Sequence, residues 1–226
     1  MRISFTIIFL FTTILYATSQ VEGTRYFNRD QLTLELLSNQ WLNAPEQVEL
    51  HARSLAFNIH LMYNILGRNR NVALAAGFGF SSENYIINAI PEKIDNTLQF
   101  KEIDPSLKYK SNKMRFNTLE LPVEIRLRTN KNNRNKSWKL YLGAKGGYLY
   151  QSMHKYNGDN PEKPDELLKQ KTYHIPYTEQ FSYGLTAKLG YGDFLISGYY
   201  ALTNRFKENK APELVPLMIG ITYYVY

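Results

Sequence analysis

The chain has 226 residues, no cysteine and a formal net charge of +7 at pH 7. This length suggests one domain, and the lack of cysteine excludes disulfide bonds, thiolate metal sites, cysteine nucleophiles and a lipid anchor attached through cysteine. Aromatic residues make up 14% of the chain, which favours β-strands, while the positive charge is compatible with an anionic surface of nucleic acid or lipid headgroups, or with simple solubility.

The N-terminus predicts the compartment. Arg2 is followed by an uncharged apolar run over residues 3–16 and by small residues that end at Ser19. This pattern is typical of a secretory signal peptide, because the apolar run is shorter than the roughly 20 residues of a spanning helix. We predict a signal peptide over residues 1–19, cleaved after Ser19, and one domain over residues 20–226; an uncleaved anchor or a buried strand is the alternative.

Alternating apolar and polar residues predict β-strands through the rest of the chain. In residues 54–65, Leu55, Phe57 and Ile59 lie on one face, and the other face carries mostly polar side chains. A polar turn over residues 67–71 joins this strand to the next, so the two form a hairpin. Eight strands are predicted, at 31–42, 54–65, 72–81, 119–127, 138–150, 181–191, 194–202 and 214–226.

The connections between these strands alternate in length. Short turns are predicted at 67–71, 129–137 and 190–193, and longer connections at 43–49, 87–113, 152–176 and 203–212. Short turns at one end of a sheet and long loops at the other are typical of an outer-membrane barrel. The loop over residues 151–176 mixes lysines with acidic residues and is predicted to be a mobile surface loop. Both termini fall on the short-turn side, which predicts that they lie in the periplasm.

Three features indicate that the apolar face points toward lipid. The polar face is rich in small residues, which fit the narrow interior of an eight-stranded barrel. It also carries charges that can pair across strands, namely Glu120, Glu124, Arg126, Lys145 and Lys188. The apolar face has aromatic residues at both ends, as an aromatic girdle does, namely Trp138, Tyr148, Tyr150, Phe181, Tyr183 and Tyr191. We predict an all-β fold, an eight-stranded antiparallel up-and-down transmembrane β-barrel; a secreted soluble lipocalin-like barrel is the alternative.

The five lumenal charges allow two interpretations, an internal salt-bridge network that holds the barrel together or a polar gate. We favour the structural network, because an unpaired buried charge costs several kcal/mol and pairing is the usual remedy. Pro122 lies in the same strand as Glu120, and since proline cannot donate to a ladder, we expect a local bulge there.

The histidines give no sign of catalysis or metal binding. His51, His60, His154 and His174 lie on different segments without metal-ligand spacing. We expect His60 to face the lumen as a hydrogen-bonded filler rather than to act as a general base. The sequence therefore predicts no catalytic residue, no metal site and no cofactor; a barrel enzyme would need His60 for lipid turnover.

Three segments and the last residue carry a likeness to a known family. They are Leu119-Glu120-Leu121-Pro122-Val123, the turn region over 183–194, the final hairpin over 199–221, and the aromatic Tyr226. Together they resemble the Gram-negative outer-membrane β-barrel family that includes PorT-like proteins. The resemblance implies the fold, a location in the outer membrane, and the barrel-insertion machinery as a partner during biogenesis. PorT itself is associated with a protein-secretion system, so the resemblance also implies secretion-system proteins as candidate partners.

These observations lead to an expected function. We expect a non-enzymatic structural or partner-binding role, exerted through the long extracellular loops of a barrel surrounded by outer-membrane lipid. Binding of nucleic acid is not expected for a secreted barrel. The alternatives are a PorT-like component of a protein-secretion apparatus and a secreted soluble barrel.

Overall fold

The computed structural model describes residues 31–67, 71–130 and 136–225, without the side chains of residues 164 and 165. The predicted signal peptide over residues 1–19 and the terminal Tyr226 lie outside the described residues. Within the described ranges, no helix is long and apolar enough to cross a membrane.

In the described residues, eight strands form a closed antiparallel ring, and three further strands extend it at one end. The bounds are β1 (Gln31–Leu42), β2 (Leu55–Leu66), β3 (Val72–Ile86), β4 (Ala89–Ile94), β5 (Thr97–Glu102), β6 (Tyr109–Arg128), β7 (Trp138–Asn160), β8 (Lys163–Tyr173), β9 (Phe181–Tyr191), β10 (Phe194–Ala201) and β11 (Val215–Val225). The ring runs β1-β2-β3-β6-β7-β9-β10-β11 and closes where β11 pairs with β1, from Leu32↔Val225 to Leu42↔Val215. The predicted fold class is therefore confirmed.

The faces of the ring alternate as the sequence predicts. Apolar side chains on the outer face are exposed, for example Leu142 at 47% and Leu185 at 51%. Inward-facing polar side chains are buried, for example Glu124 at 1% and Asn58 at 0%. A soluble barrel has the opposite arrangement, so the outer face of this wall fits an apolar environment.

Two of the predicted long loops contain regular structure. Residues 87–113 include the β4–β5 hairpin and the beginning of β6, and residues 152–176 include the end of β7 and all of β8. The prediction of a mobile loop over 151–176 is therefore wrong. A bulge explains the error: Asn117 pairs with Gln151 but Thr118 pairs with Leu149, so Tyr150 is an extra residue in β7. Side-chain alternation along β7 changes phase there, so the outward apolar stripe that precedes the bulge does not continue although the strand does.

Pro122 is not the site of a bulge, contrary to the prediction. The register of β6 with β7 is unbroken through Pro122↔Lys145. On the β3 side, bridge pairs are missing opposite Gly77 and Phe78, and the ladder resumes in the same register at Gly79↔Glu120. Because proline lacks an N–H group, the ladder loses pairing locally but needs no extra residue.

An apolar cluster closes the long-loop end of the ring, and we call it the cap. It joins strand ends to all four long connections. Its buried members are Trp41, Val48, Tyr85, Ile87, Ala89, Leu98, Phe100, Met114, Phe116, Ile175, Phe206 and Leu214. Trp41 stacks on Tyr85 with ring centroids 4.4 Å apart. The long connections thus fold back over the mouth and share one core.

Candidate functional site

The centre of the lumen holds a buried ion cluster. Lys188 Nζ lies 2.7 Å from Glu35 Oε1 and 2.7 Å from Glu124 Oε1, so one ammonium group bridges two carboxylates. Asn58 Nδ2 donates to Glu35 Oε2 at 3.0 Å, and Thr222 Oγ1 donates to Glu35 Oε1 at 3.3 Å. Glu35 therefore connects side chains from four strands of the ring.

A third carboxylate, that of Glu120, binds two partners on the loop side of this cluster. Its Oε2 lies 2.7 Å from His60 Nε2, and its Oε1 lies 2.8 Å from Lys145 Nζ. The ammonium group of Lys145 also lies 4.2 Å from the centre of the Tyr199 ring. His60 Nδ1 is 4.0 Å from Glu35, so the imidazole lies between two carboxylates.

Arg126 occupies the turn side of the lumen. Its Nε donates to Glu124 Oε2 at 3.0 Å, and its Nη1 donates to Gln31 Oε1 at 2.5 Å and to Asn64 Oδ1 at 3.0 Å. The guanidinium lies 5.0 Å from the centre of the Tyr141 ring. An arginine that is 0% exposed is thus held by oxygen acceptors and an aromatic face.

The five predicted lumenal charges come together in this network. Three carboxylates, of Glu35, Glu120 and Glu124, are matched by three cations, so their formal charges sum to zero. The sequence interpretation missed Glu35. The alternation of Leu32 and Leu34 with Thr33 and Glu35 was the available signal. It was obscured because inward-facing Leu37 and Trp41 make β1 look irregular.

A separate ion pair lies at the loop end of the lumen and was also missed. Arg205 Nη2 donates to Glu83 Oε2, and Tyr85 Oη donates to the same oxygen at 2.9 Å. The Arg205 guanidinium lies 4.8 Å from the centre of the Phe116 ring in the cap. Arg205 comes from the connection between β10 and β11, so this pair fastens that connection to β3.

His154 and Asn112 fasten the base of the β4–β5 hairpin. Asn112 Nδ2 donates to the carbonyl oxygens of Ile87 and Ala89, both at 2.8 Å. Its Oδ1 therefore faces His154 Nε2 at 2.7 Å, which makes the imidazole the donor. Burial lowers the pKa of His154 from 6.5 to about 4, because the cationic form loses its hydration.

The predicted girdle residues lie at two levels on the outer face. Trp138 pairs with Tyr191 at the turn end, with ring centroids 5.5 Å apart. Tyr148 pairs with Phe181 at the loop end, with ring centroids 5.4 Å apart. The remaining two members, Tyr150 and Tyr183, are exposed near the loop-end level.

The lumen offers little access for chemistry on a lipid. His60 is 2% exposed and contacts carboxylates rather than a hydroxyl nucleophile. Among the residues that the structure describes, no group of three or more His, Asp or Glu side chains is placed to hold a metal ion. The arrangement can neutralise charge and fill space.

The chain is similar to one protein family and to two solved structures. The sequence profile of the outer membrane protein β-barrel domain matches residues 23–207. None of the curated proteins matches the chain. The crystal structure of Ail, the attachment invasion locus protein of Yersinia pestis, is similar with a TM-score of 0.38 and 11% identity, covering 88% of this chain and 100% of that one. The same protein in complex with the heparin analogue sucrose octasulfate gives a TM-score of 0.34 and 12% identity over the same shares.

The profile match covers most of the chain, and its description agrees with the outward apolar face of the ring. The chain is a protein of the outer membrane and belongs to the outer membrane protein β-barrel domain family.

Proposed function

We propose that this protein has a non-enzymatic role and presents a folded extracellular surface to a partner protein. The observation that carries the proposal is the cap, in which all four long connections share one apolar core. Connections that are ordered before binding lose little conformational entropy when a partner binds. The ordered core of the cap therefore favours the interpretation of these connections as a binding surface over their interpretation as mobile loops.

The lumenal charges have a structural role in this proposal. Glu120, Glu124, Arg126, Lys145 and Lys188 are each at most 6% exposed, and each has a partner of opposite charge. Breaking a buried pair costs about 3–5 kcal/mol, because the remaining charge loses both water and its partner. The network holds opposite walls of the ring together, and a polar gate would need groups that can separate at lower cost.

The aromatic residues mark the two membrane interfaces in this proposal. Trp138 and Tyr148 lie ten positions apart on β7. At a rise of about 3.3 Å per residue and a tilt of about 40°, this separation spans about 25 Å along the membrane normal, the height of the apolar band of outer-membrane barrels. The two aromatic levels therefore suit the two edges of the hydrocarbon layer.

The β7–β8 hairpin is the part of the surface best placed for a partner. β8 pairs with β7, and no second strand pairs with β8 within the described residues. Leu167 is 87% exposed near the tip of the hairpin, and Tyr173 is 51% exposed near its base. A strand with an unpaired edge and apolar side chains can pair with an extended segment of another protein.

Site-specific photocrosslinking in intact cells tests the proposal. A photoreactive residue in place of Leu167 should give a protein adduct of defined mass. The matched control is the same residue in place of Ile219, which is 61% exposed on the lipid-facing wall and should give no protein adduct. Absence of a protein adduct at position 167 would contradict the proposal, whereas co-purification of a defined multiprotein assembly after cross-linking would favour the secretion-apparatus alternative.

A further inference from the structure

The outer face of the wall carries a row of positive charges above the loop-end aromatic level. Lys113 on β6 pairs directly with Lys155 on β7, and Lys155 pairs directly with Lys171 on β8. Directly paired residues of antiparallel strands project from the same face, with Cβ atoms about 5 Å apart. Three ammonium groups therefore lie side by side across three strands.

Two more cations extend this row. Arg115 and Lys169 lie two positions from Lys113 and Lys171 on their strands, so they project from the same face. Arg115 Nε donates to Asn84 Oδ1 at 2.8 Å. In the described part of the chain, no salt bridge joins any of these five residues to a carboxylate.

The electrostatics of the row are unfavourable for the isolated protein. Burial and the positive charges of Arg115 and Lys155 lower the pKa of Lys113. Like charges directly opposite each other in a sheet are destabilising. An anion bound along the row would relieve this repulsion.

The row points away from the barrel axis. The alternate residues of the same strands, including Met114, His154 and Tyr156, are buried on the inner side. The outer face is therefore continuous with the lipid-facing wall below it. The row therefore faces the medium that surrounds the barrel at this height.

The height of the row above the loop-end aromatic level indicates which part of the membrane surrounds it. Leu119 pairs with Tyr148 at the loop-end aromatic level, and Arg115 and Lys113 lie four and six positions further along β6. With a rise of about 3.3 Å and a tilt of about 40°, the row lies about 10–15 Å above that level. A phospholipid headgroup layer is only about 5–8 Å thick, so a thicker anionic headgroup is needed to reach the row.

We propose that the cationic row, formed by Arg115, Lys113, Lys155, Lys171 and Lys169, binds the phosphate groups of a phosphorylated saccharide headgroup on a glycolipid of the outer leaflet. This site is separate from the proposed partner surface at the tip of the hairpin. Phosphate provides several strong acceptors, and lysines at a membrane surface contribute about 1 kcal/mol each to the binding of anionic lipid.

The test compares two triple variants of the full protein in lipid nanodiscs. One variant replaces Lys113, Lys155 and Lys171 with glutamine, and the control replaces Lys101, Lys163 and Lys207, three exposed lysines outside the row. The probe is a phosphorylated outer-leaflet glycolipid, with the same glycolipid after phosphatase treatment as the second arm. We expect the row variant to bind the phosphorylated probe about 100-fold more weakly than wild type and the control to change less than about twofold.

Several results would overturn the proposal. One is equal loss of binding in both triple variants, and another is equal binding of phosphorylated and phosphatase-treated glycolipid. A third is unchanged glycolipid binding in the row variant together with lost binding of a soluble acidic polysaccharide, which would assign the row to a soluble partner. If the triple variant does not fold, as judged by gel mobility with and without heating, the Lys155→Gln variant replaces it and should bind the phosphorylated probe about fivefold more weakly.

Discussion

Glu35 is the residue on which most of the lumen depends. Its carboxylate contacts Lys188 at 2.7 Å and accepts hydrogen bonds from Asn58 and Thr222. Because it shares Lys188 with Glu124, its loss would leave the ammonium group with one carboxylate instead of two. A change at this residue therefore acts on several strands at once.

We expect Glu35→Gln to lower the free energy of unfolding by about 3 kcal/mol, because it removes one partner of a buried ion pair. The measurement is urea unfolding in lipid vesicles, followed by the mobility of unheated protein on gels. The matched control is Glu166→Gln, since Glu166 forms an exposed ion pair with Lys163 at 3.5 Å. That change should cost less than about 1 kcal/mol. Equal losses in the two variants would show that the lumenal pairs add nothing beyond surface pairs.

At the residue scale, strict alternation decided what the sequence could predict. Glu120, Glu124 and Arg126 lie in the part of β6 from 119 to 127, whose outer face is uniformly apolar, so their inward direction was predictable. Glu35 was not found because Leu37 faces inward two positions later. Glu83 and Arg205 were not found because their pairing joins a strand to a distant connection, which periodicity does not report.

At the scale of elements, the close approach of β2 and β3 depends on Gly79. A Cβ atom at this position would lie 2.2 Å from the carbonyl oxygen of Ile59 and 2.4 Å from Cδ2 of His60. By contrast, a Cβ atom at Gly146, on the outer face, would have its nearest neighbour, the carbonyl oxygen of Ser182, at 3.9 Å. These two glycines give a matched pair of substitutions.

We expect Gly79→Ala to destabilise the barrel by about 1–3 kcal/mol, because either the strands must separate or the His60 side chain must move. Gly146→Ala should change stability by less than about 0.5 kcal/mol, since the added methyl group meets open space on the lipid-facing side. The same urea titration measures both variants. A larger loss for Gly146→Ala than for Gly79→Ala would contradict the described packing of β2 on β3.

The elements also show where a sequence pattern stops being informative. All eight ring strands were predicted, because each keeps a lipid-facing stripe over the height of the membrane. Above that height the outer face needs no apolar residues, so β8 and the upper part of β6 have no such stripe. The extra residue Tyr150 in β7 then changes the phase of alternation, and the strand beyond it resembled a loop.

At the scale of the whole molecule, the cap and the membrane-spanning ring are held by different forces. The ring is closed by backbone pairing between every two neighbouring strands, whereas the cap depends on apolar packing and on the His154–Asn112 contact at the hairpin base. In the folded cap the pKa of His154 is about 4, so the imidazole stays neutral until the pH approaches 4. In the opened cap the pKa returns to its ordinary value of 6.5, and the imidazole binds a proton as the pH falls below that value. Stability of the cap is therefore lost as the pH falls from about 6.5 to 4, because the open form binds the proton first.

We expect acid to open the cap before the ring unfolds, with a cost from His154 of at most about 3 kcal/mol at pH 4. The reporter is Trp41, which is buried in the cap and is the only tryptophan left after Trp138→Phe. Quenching of its fluorescence by acrylamide should increase between pH 6.5 and 4, while gel mobility still shows a closed ring. His154→Gln keeps a donor for Asn112 but does not titrate, so it should reduce this increase. The same pH profile in both proteins would rule out His154 as the cause.

The pairing of β1 with β11 constrains how the molecule is made. β11 is synthesised after the other strands of the ring, yet it supplies one side of the β1–β11 pairing that closes the wall. Until β11 pairs with β1, β1 has an unpaired edge whose amide and carbonyl groups can form hydrogen bonds with any available strand. Closure of the ring in the bilayer must therefore wait until β11 has been synthesised. A chain shortened within β11 would leave the edges of β1 and β10 unpaired in lipid, where unpaired backbone is least tolerated.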